Sequence, residues 1–106
     1  MAYYLVSALP KDARIHELEN RLAADEFMRL RPFGKALSGS LRNARRQADG
    51  VAVWEEEDYC RPPLAEERAA VLDHYFDRLQ TERVSAGEGW KRIAELPALF
   101  PALSNA

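Results

Sequence analysis

The chain has 106 residues, 47% hydrophobic and 30% charged, with a formal net charge of −2. That size predicts one domain around one core over residues 1–106, and a single cysteine, Cys60, excludes an internal disulfide. No leader-like opening and no 18-residue apolar run is present, so a cytoplasmic protein without membrane insertion is expected.

Tyr3 to Leu9, YYLVSAL, reads as a strand whose apolar residues occupy both alternating sets of positions, so both of its faces should be covered. Pro10 suits the first turn of a helix of about 13 residues, with Ile15, Leu18 and Leu22 on one face. His16 beside that stripe has no ligand-type companion one turn on and reads as an ordinary boundary histidine. Glu26 to Arg31 suits either a short edge strand or an extended connection closed by Pro32. From Phe33 to about Gln47, the residues Phe33, Leu37, Leu41 and Ala44 recur with a helical period. Gly39 inside that pattern costs about 1 kcal/mol relative to alanine, which implies a close packing partner or a helix start later than Phe33, in the extreme near Ser38 or Ser40. With the late start, free amides beside Gly34, Lys35, Ser38 and Ser40 would hold an anion. The spacing of a nucleotide-binding phosphate loop is absent.

Asp49 and Gly50 form a turn into Val51 to Trp54, an all-apolar stretch expected in mid-sheet beside Tyr3 to Leu9. The acids Glu55 to Asp58 then require the strand to leave the core or reach an opening, because carboxylates would otherwise face inward on both sides. Two carboxylates on one face, Glu55 with Glu57 or Glu56 with Asp58, suit cation binding or acid–base chemistry; the plainer reading is a solvated loop balanced by nearby arginines. Cys60, preceded by acids, reads as a structural thiol. After Pro62 and Pro63, Leu64 to Gln80 carries the broadest apolar stripe and is predicted to be the main core helix; His74 lies on it as a surface histidine. Thr81 to Ala86 reads as a last strand. Beyond Gly87 to Gly89, the residues Trp90, Ile93, Leu96, Leu99, Phe100 and Leu103 predict short helical turns that dock on the chain's own sheet or on a neighbouring subunit.

The predicted class is therefore α/β (α+β): a small single-sheet sandwich with a C-terminal helical tail. Its element order resembles ferredoxin-like and dimeric α+β barrel domains, a likeness of architecture that does not fix function. Charge supplies the functional expectation. Six Lys or Arg and no acid lie between Phe27 and Ala48, whereas Glu55 to Asp58 is acidic throughout. The first expectation is a non-enzymatic binding or regulatory module, self-associating, with Arg29, Arg31, Lys35, Arg42, Arg45 and Arg46 facing a small anionic ligand or a protein partner, and Ser38, Ser40, Trp54, Glu56 and Asp58 as further candidate ligand-binding residues. A pI near 5.7 argues against general nucleic-acid binding. Alternatives are a small enzyme with a carboxylate general base at the end of the central strand, and an adaptor that binds through its apolar tail. No cofactor is expected, and no metal, since Cys60, His16 and His74 are too scattered for a ligand set.

Overall fold

The computed structural model describes residues 2–104. Four antiparallel strands form one sheet in the order β2-β3-β1-β4, with helices packed against it, a small α+β fold. The central pair is β1 (Ala2–Pro10) and β3 (Ala52–Asp58), in register from Ala2 opposite Asp58 to Ala8 opposite Ala52. Since successive side chains alternate faces, Val6, Ala8, Ala52 and Trp54 share one face and pack in the core with Leu18, Leu22, Leu37, Leu41, Leu64, Leu72 and Tyr75. Each aliphatic side chain buried there contributes about 1.5–3 kcal/mol. Among the described residues, no helix is long and apolar enough to cross a membrane.

Helix α1 (Ile15–Ala23) buries Leu18 and Leu22 as its spacing predicts. Pro10 does not open it: Pro10 is the last residue of β1, opposite Phe76, and a short turn intervenes. Glu26 to Arg31 is neither an edge strand nor an extended connection. It folds into tight turns, with Met28 N–H on the Asp25 carbonyl and Leu30 N–H on the Phe27 carbonyl, because Phe27 must turn inward to join the core.

Helix α2 (Gly34–Arg42) starts early, not at Ser38 or Ser40. Gly34 explains why. A Cβ there would lie 2.1 Å from the Phe27 carbonyl oxygen, so glycine alone lets the chain turn back against the preceding loop. The helix also ends before Gln47, and Arg45–Arg46 form β2, pairing with Val53 and Ala52.

The predicted helix Leu64–Gln80 is cut short. Three consecutive helical pieces, α3 (Ala65–Glu67), a π-turn (Arg68–Leu72) and α4 (Asp73–Tyr75), give way at Phe76 to β4 (Phe76–Val84). Pairing with β1 holds those residues extended; Phe76 and Leu79 fit a helical stripe by spacing but belong to a strand. A register shift between Ser7 and Leu9 places one extra residue on β4, where Arg78 has φ of 55°. The last strand is thus longer and earlier than Thr81 to Ala86.

The tail closes on its own chain. Short α5 (Glu88–Arg92) lies against β3 and β1; Ala98 bridges to Arg45, Leu99 N–H donates to the Ala44 carbonyl, and Phe100 enters the core. The helices cover one face of β1 and β3, and α5 lies over part of the other, as the two-sided apolar pattern of β1 requires.

Candidate functional site

The acidic run does not leave the core. β3 continues through Asp58, and Glu55, Glu56 and Asp58 are buried. Three sets of donors make that tolerable. Glu55, on the α5 face, accepts hydrogen bonds from the Gly87 and Gly89 amides at 2.9 and 2.8 Å. Glu56, on the helix-covered face, accepts the Trp54 indole N–H at 2.8 Å. Asp58 accepts the Leu64 and Cys60 amides at 2.6 and 3.0 Å. Leu64 takes a left-handed conformation, φ 63°, which costs roughly 1–3 kcal/mol, as its amide meets Asp58. A carboxylate holding several such donors replaces much of its lost hydration.

Glu56 and Asp58, two positions apart on one face, meet Glu67 from the end of α3, itself fully buried. No described basic side chain forms an ion pair with any of the three. Burial pushes Glu56 up to about 8 against the indole N–H, with the charges of Glu67 and Asp58 adding to the rise. Burial and a hydrogen bond to Asp58 push Glu67 up to about 7. Burial works to raise Asp58 too, but hydrogen bonds from the Glu67 side chain and from the Leu64, Cys60 and Tyr59 amides outweigh it and hold Asp58 below its ordinary value. Below about pH 7 these opposite shifts favour protons on Glu56 and Glu67 and charge on Asp58. Cys60 joins it, with Sγ 3.7 Å from Glu67 Oε1. A hydrogen bond from the Glu66 backbone works to lower the thiol, but burial and the charges of Asp58 and Glu67 raise it, so it is not an activated nucleophile. A cavity of about 380 Å³ opens onto Asp58, Cys60 and Glu67, walled by Pro32, Phe33, Ala36 and Tyr59; Glu56 lies behind it.

A second, more open cleft of about 890 Å³ lies between α2 and α5, where β2 has ended and β3, still paired with β1 on its inner side, has an uncovered outer edge. Tyr3, Lys35, Ser40, Arg45, Glu57 and Trp90 line it, and it shares Pro32, Ala36 and Glu57 with the cavity. Its acids are engaged: Glu55 by the α5 amides, and Glu57 by the Tyr59 hydroxyl at 3.0 Å and by Tyr3. Lys35 has no hydrogen-bond or ion-pair partner among the described residues. Gly39 also faces this cleft, and nothing lies within 4 Å of where its Cβ would be. The close packing partner expected from the sequence is absent there.

The residues picked out by the sequence are thus divided. Lys35 and Ser40 line the cleft; Trp54, Glu56 and Asp58 form the buried cluster. Ser38 is buried inside α2 with its hydroxyl unpartnered, so neither serine marks a helix start. Arg42 points the other way, donating to the Leu22 carbonyl at 2.8 Å near Asp25, and Arg29 donates to the Glu26 carbonyl. Arg31 is exposed and lines neither hollow. Sequence reasoning passed over Glu67, Tyr3 and Trp90 as site residues, whereas Arg45, expected on the basic surface, does line the cleft. The period-2 continuation of Trp54 through Glu56 to Asp58 was a usable signal for a strand that stays buried; nothing local marked Glu67. Comparison of the chain with protein-family models, with curated proteins and with solved structures finds no match.

Proposed function

We propose that the protein is a non-enzymatic binding module that takes a small anionic ligand in the cleft between α2 and α5. The observation that carries this reading is an unpaired Lys35 in a concave site whose own carboxylates already have partners. Arg45, anchored by its bond to the Leu96 carbonyl, adds a second positive charge, and Ser40 adds a hydroxyl. The small residues Ala36 and Gly39 allow close approach to the α2 backbone, and Tyr3 and Trp90 offer aromatic surface. Gly39 weakens α2 by roughly 1 kcal/mol without relieving any contact, which fits a wall kept clear for a ligand.

Titration of isotopically labelled protein with inorganic phosphate and with a nucleoside monophosphate tests the reading by amide chemical shifts. Saturable shifts are expected around Lys35 to Arg45 and Trp90. Lys35→Ala should weaken binding about tenfold or more, the loss of one charge-assisted bond of at least about 1.5 kcal/mol. Absence of saturable shifts at low salt with both probes contradicts it.

A second reading, a small enzyme, draws support from one observation: Glu67, pushed to about 7, borders the cavity and would serve as an acid or base near neutrality. Glu56 lines neither hollow, so in this reading Glu67 replaces it as the acting carboxyl. Glu67→Gln would remove turnover of a substrate found by screening; unchanged turnover would dismiss this reading.

A further inference from the structure

We propose that Asp58, Cys60 and Glu67 form a binding site for one divalent transition-metal ion of the zinc class. One ligand atom from each residue lies within 4.8 Å of the others, all at the wall of the 380 Å³ cavity. The separation of Cys60 Sγ from Glu67 Oε1, 3.7 Å, suits ligation. A tetrahedral ion with metal–sulfur and metal–oxygen bonds of about 2.3 and 2.1 Å holds two such ligands roughly 3.6 Å apart.

A second observation points to the same place. Glu67 and Glu56 are fully buried, and no donor from outside the acid cluster reaches Oε2 of either, so whatever neutralises these oxygens must lie between the carboxyls themselves. Buried carboxyl oxygens without donors are costly, and three clustered acids with no paired basic side chain need protons or a cation between them. The backbone supplies the outer support: the Cys60 and Leu64 amides fix Asp58, as second-shell donors commonly fix metal-bound carboxylates. A thiolate with two carboxylates suits zinc or cobalt better than magnesium or calcium, which prefer oxygen alone. The fourth position would face the cavity and take water or a ligand donor. Loading exchanges the dication for the thiol proton and the Glu67 proton, both released to solvent, so the charge of the buried site is unchanged.

The test is titration of chelator-treated protein with cobalt(II), whose thiolate complex gives a ligand-to-metal charge-transfer band in the near ultraviolet. The wild type should develop this band to saturation at one cobalt per chain, and zinc should abolish it by competition. Cys60→Ser, close in size, should remove the band, and Glu67→Gln should raise the cobalt Kd about tenfold or more, with circular dichroism checking that both variants fold. A wild type that gives no band at millimolar cobalt overturns the proposal whatever the variants do. A band that persists unchanged in Glu67→Gln overturns the assigned ligand set. Neither result bears on anion binding in the α2–α5 cleft.

Discussion

Replacing Glu56 by glutamine is expected to change how stability depends on pH. In the folded chain, burial pushes Glu56 to about 8 from its ordinary 4.5, so the folded state keeps a proton that the unfolded state has released. For a group raised in this way, stability is greatest below the unfolded value and falls as pH rises toward the folded one. Each retained proton costs about 1.4 kcal/mol per pH unit, or roughly 3 kcal/mol between pH 5 and pH 7. Glu67, pushed up to about 7, adds a loss in the same direction over the lower part of that window. The lowered carboxyls Asp58, Glu17 and Glu82 act oppositely, but they contribute above their ordinary values and lose that contribution only in more acidic solution. Net stability should therefore decline from pH 5 to pH 8. Glutamine can keep an oxygen for the Trp54 indole and cannot ionise. Urea unfolding of wild type and Glu56→Gln at pH 5, 6, 7 and 8, with chelator present, should show the variant's slope reduced by about one proton, leaving it the more stable protein at pH 8. A wild-type stability that is flat or rises with pH, or an equal slope in the variant, would refute the reasoning.

Two glycines in α2 should respond in opposite senses. Gly34→Ala forces a methyl against the Phe27 carbonyl and should destabilise by about 1–3 kcal/mol, while Gly39→Ala, with open space around it, should stabilise by roughly 0.5–1 kcal/mol; paired thermal melts check both. Phe100→Ala should cost about 3 kcal/mol or more in urea unfolding, since its ring fills the chain's own core, and a loss below 1 kcal/mol would mean that the tail is held elsewhere.

Much of this architecture is legible in the sequence. The period of Ile15, Leu18 and Leu22, the two-sided strand at Tyr3, and the apolar entry at Val51 each lead to the element observed. The passage from Tyr75 to Phe76 is not legible, because Val71, Leu72, Tyr75, Phe76 and Leu79 keep helical spacing across it and no glycine or proline interrupts them. Pairing with β1, some 70 residues earlier in the chain, decides that boundary, and local pattern carries no such information. The reading of Glu55 to Asp58 as a solvated loop fails for a related reason. Four consecutive acids look like solvent exposure when burial of charge is assumed to lack partners. Here the partners come from the Trp54 indole, the amides at Leu64, and the amides of Gly87 and Gly89 more than 30 residues downstream, and burial pushes Glu56 toward its neutral form. The charge segregation was real in sequence but only partly so in space: Lys35 and Arg45 do meet Glu55 and Glu57 across one cleft, while Arg42 turns back to α1.

The most direct measurement is a carbon-13 NMR titration of the glutamate side-chain carboxyls in metal-free protein, with Glu56→Gln and Glu67→Gln used for assignment. Two carboxyl signals are expected to titrate far above the rest, Glu56 near 8 and Glu67 near 7. If every glutamate signal moves together near its ordinary 4.5 while the protein stays folded, the buried carboxyl cluster does not exist as described, and the site built on it falls with it.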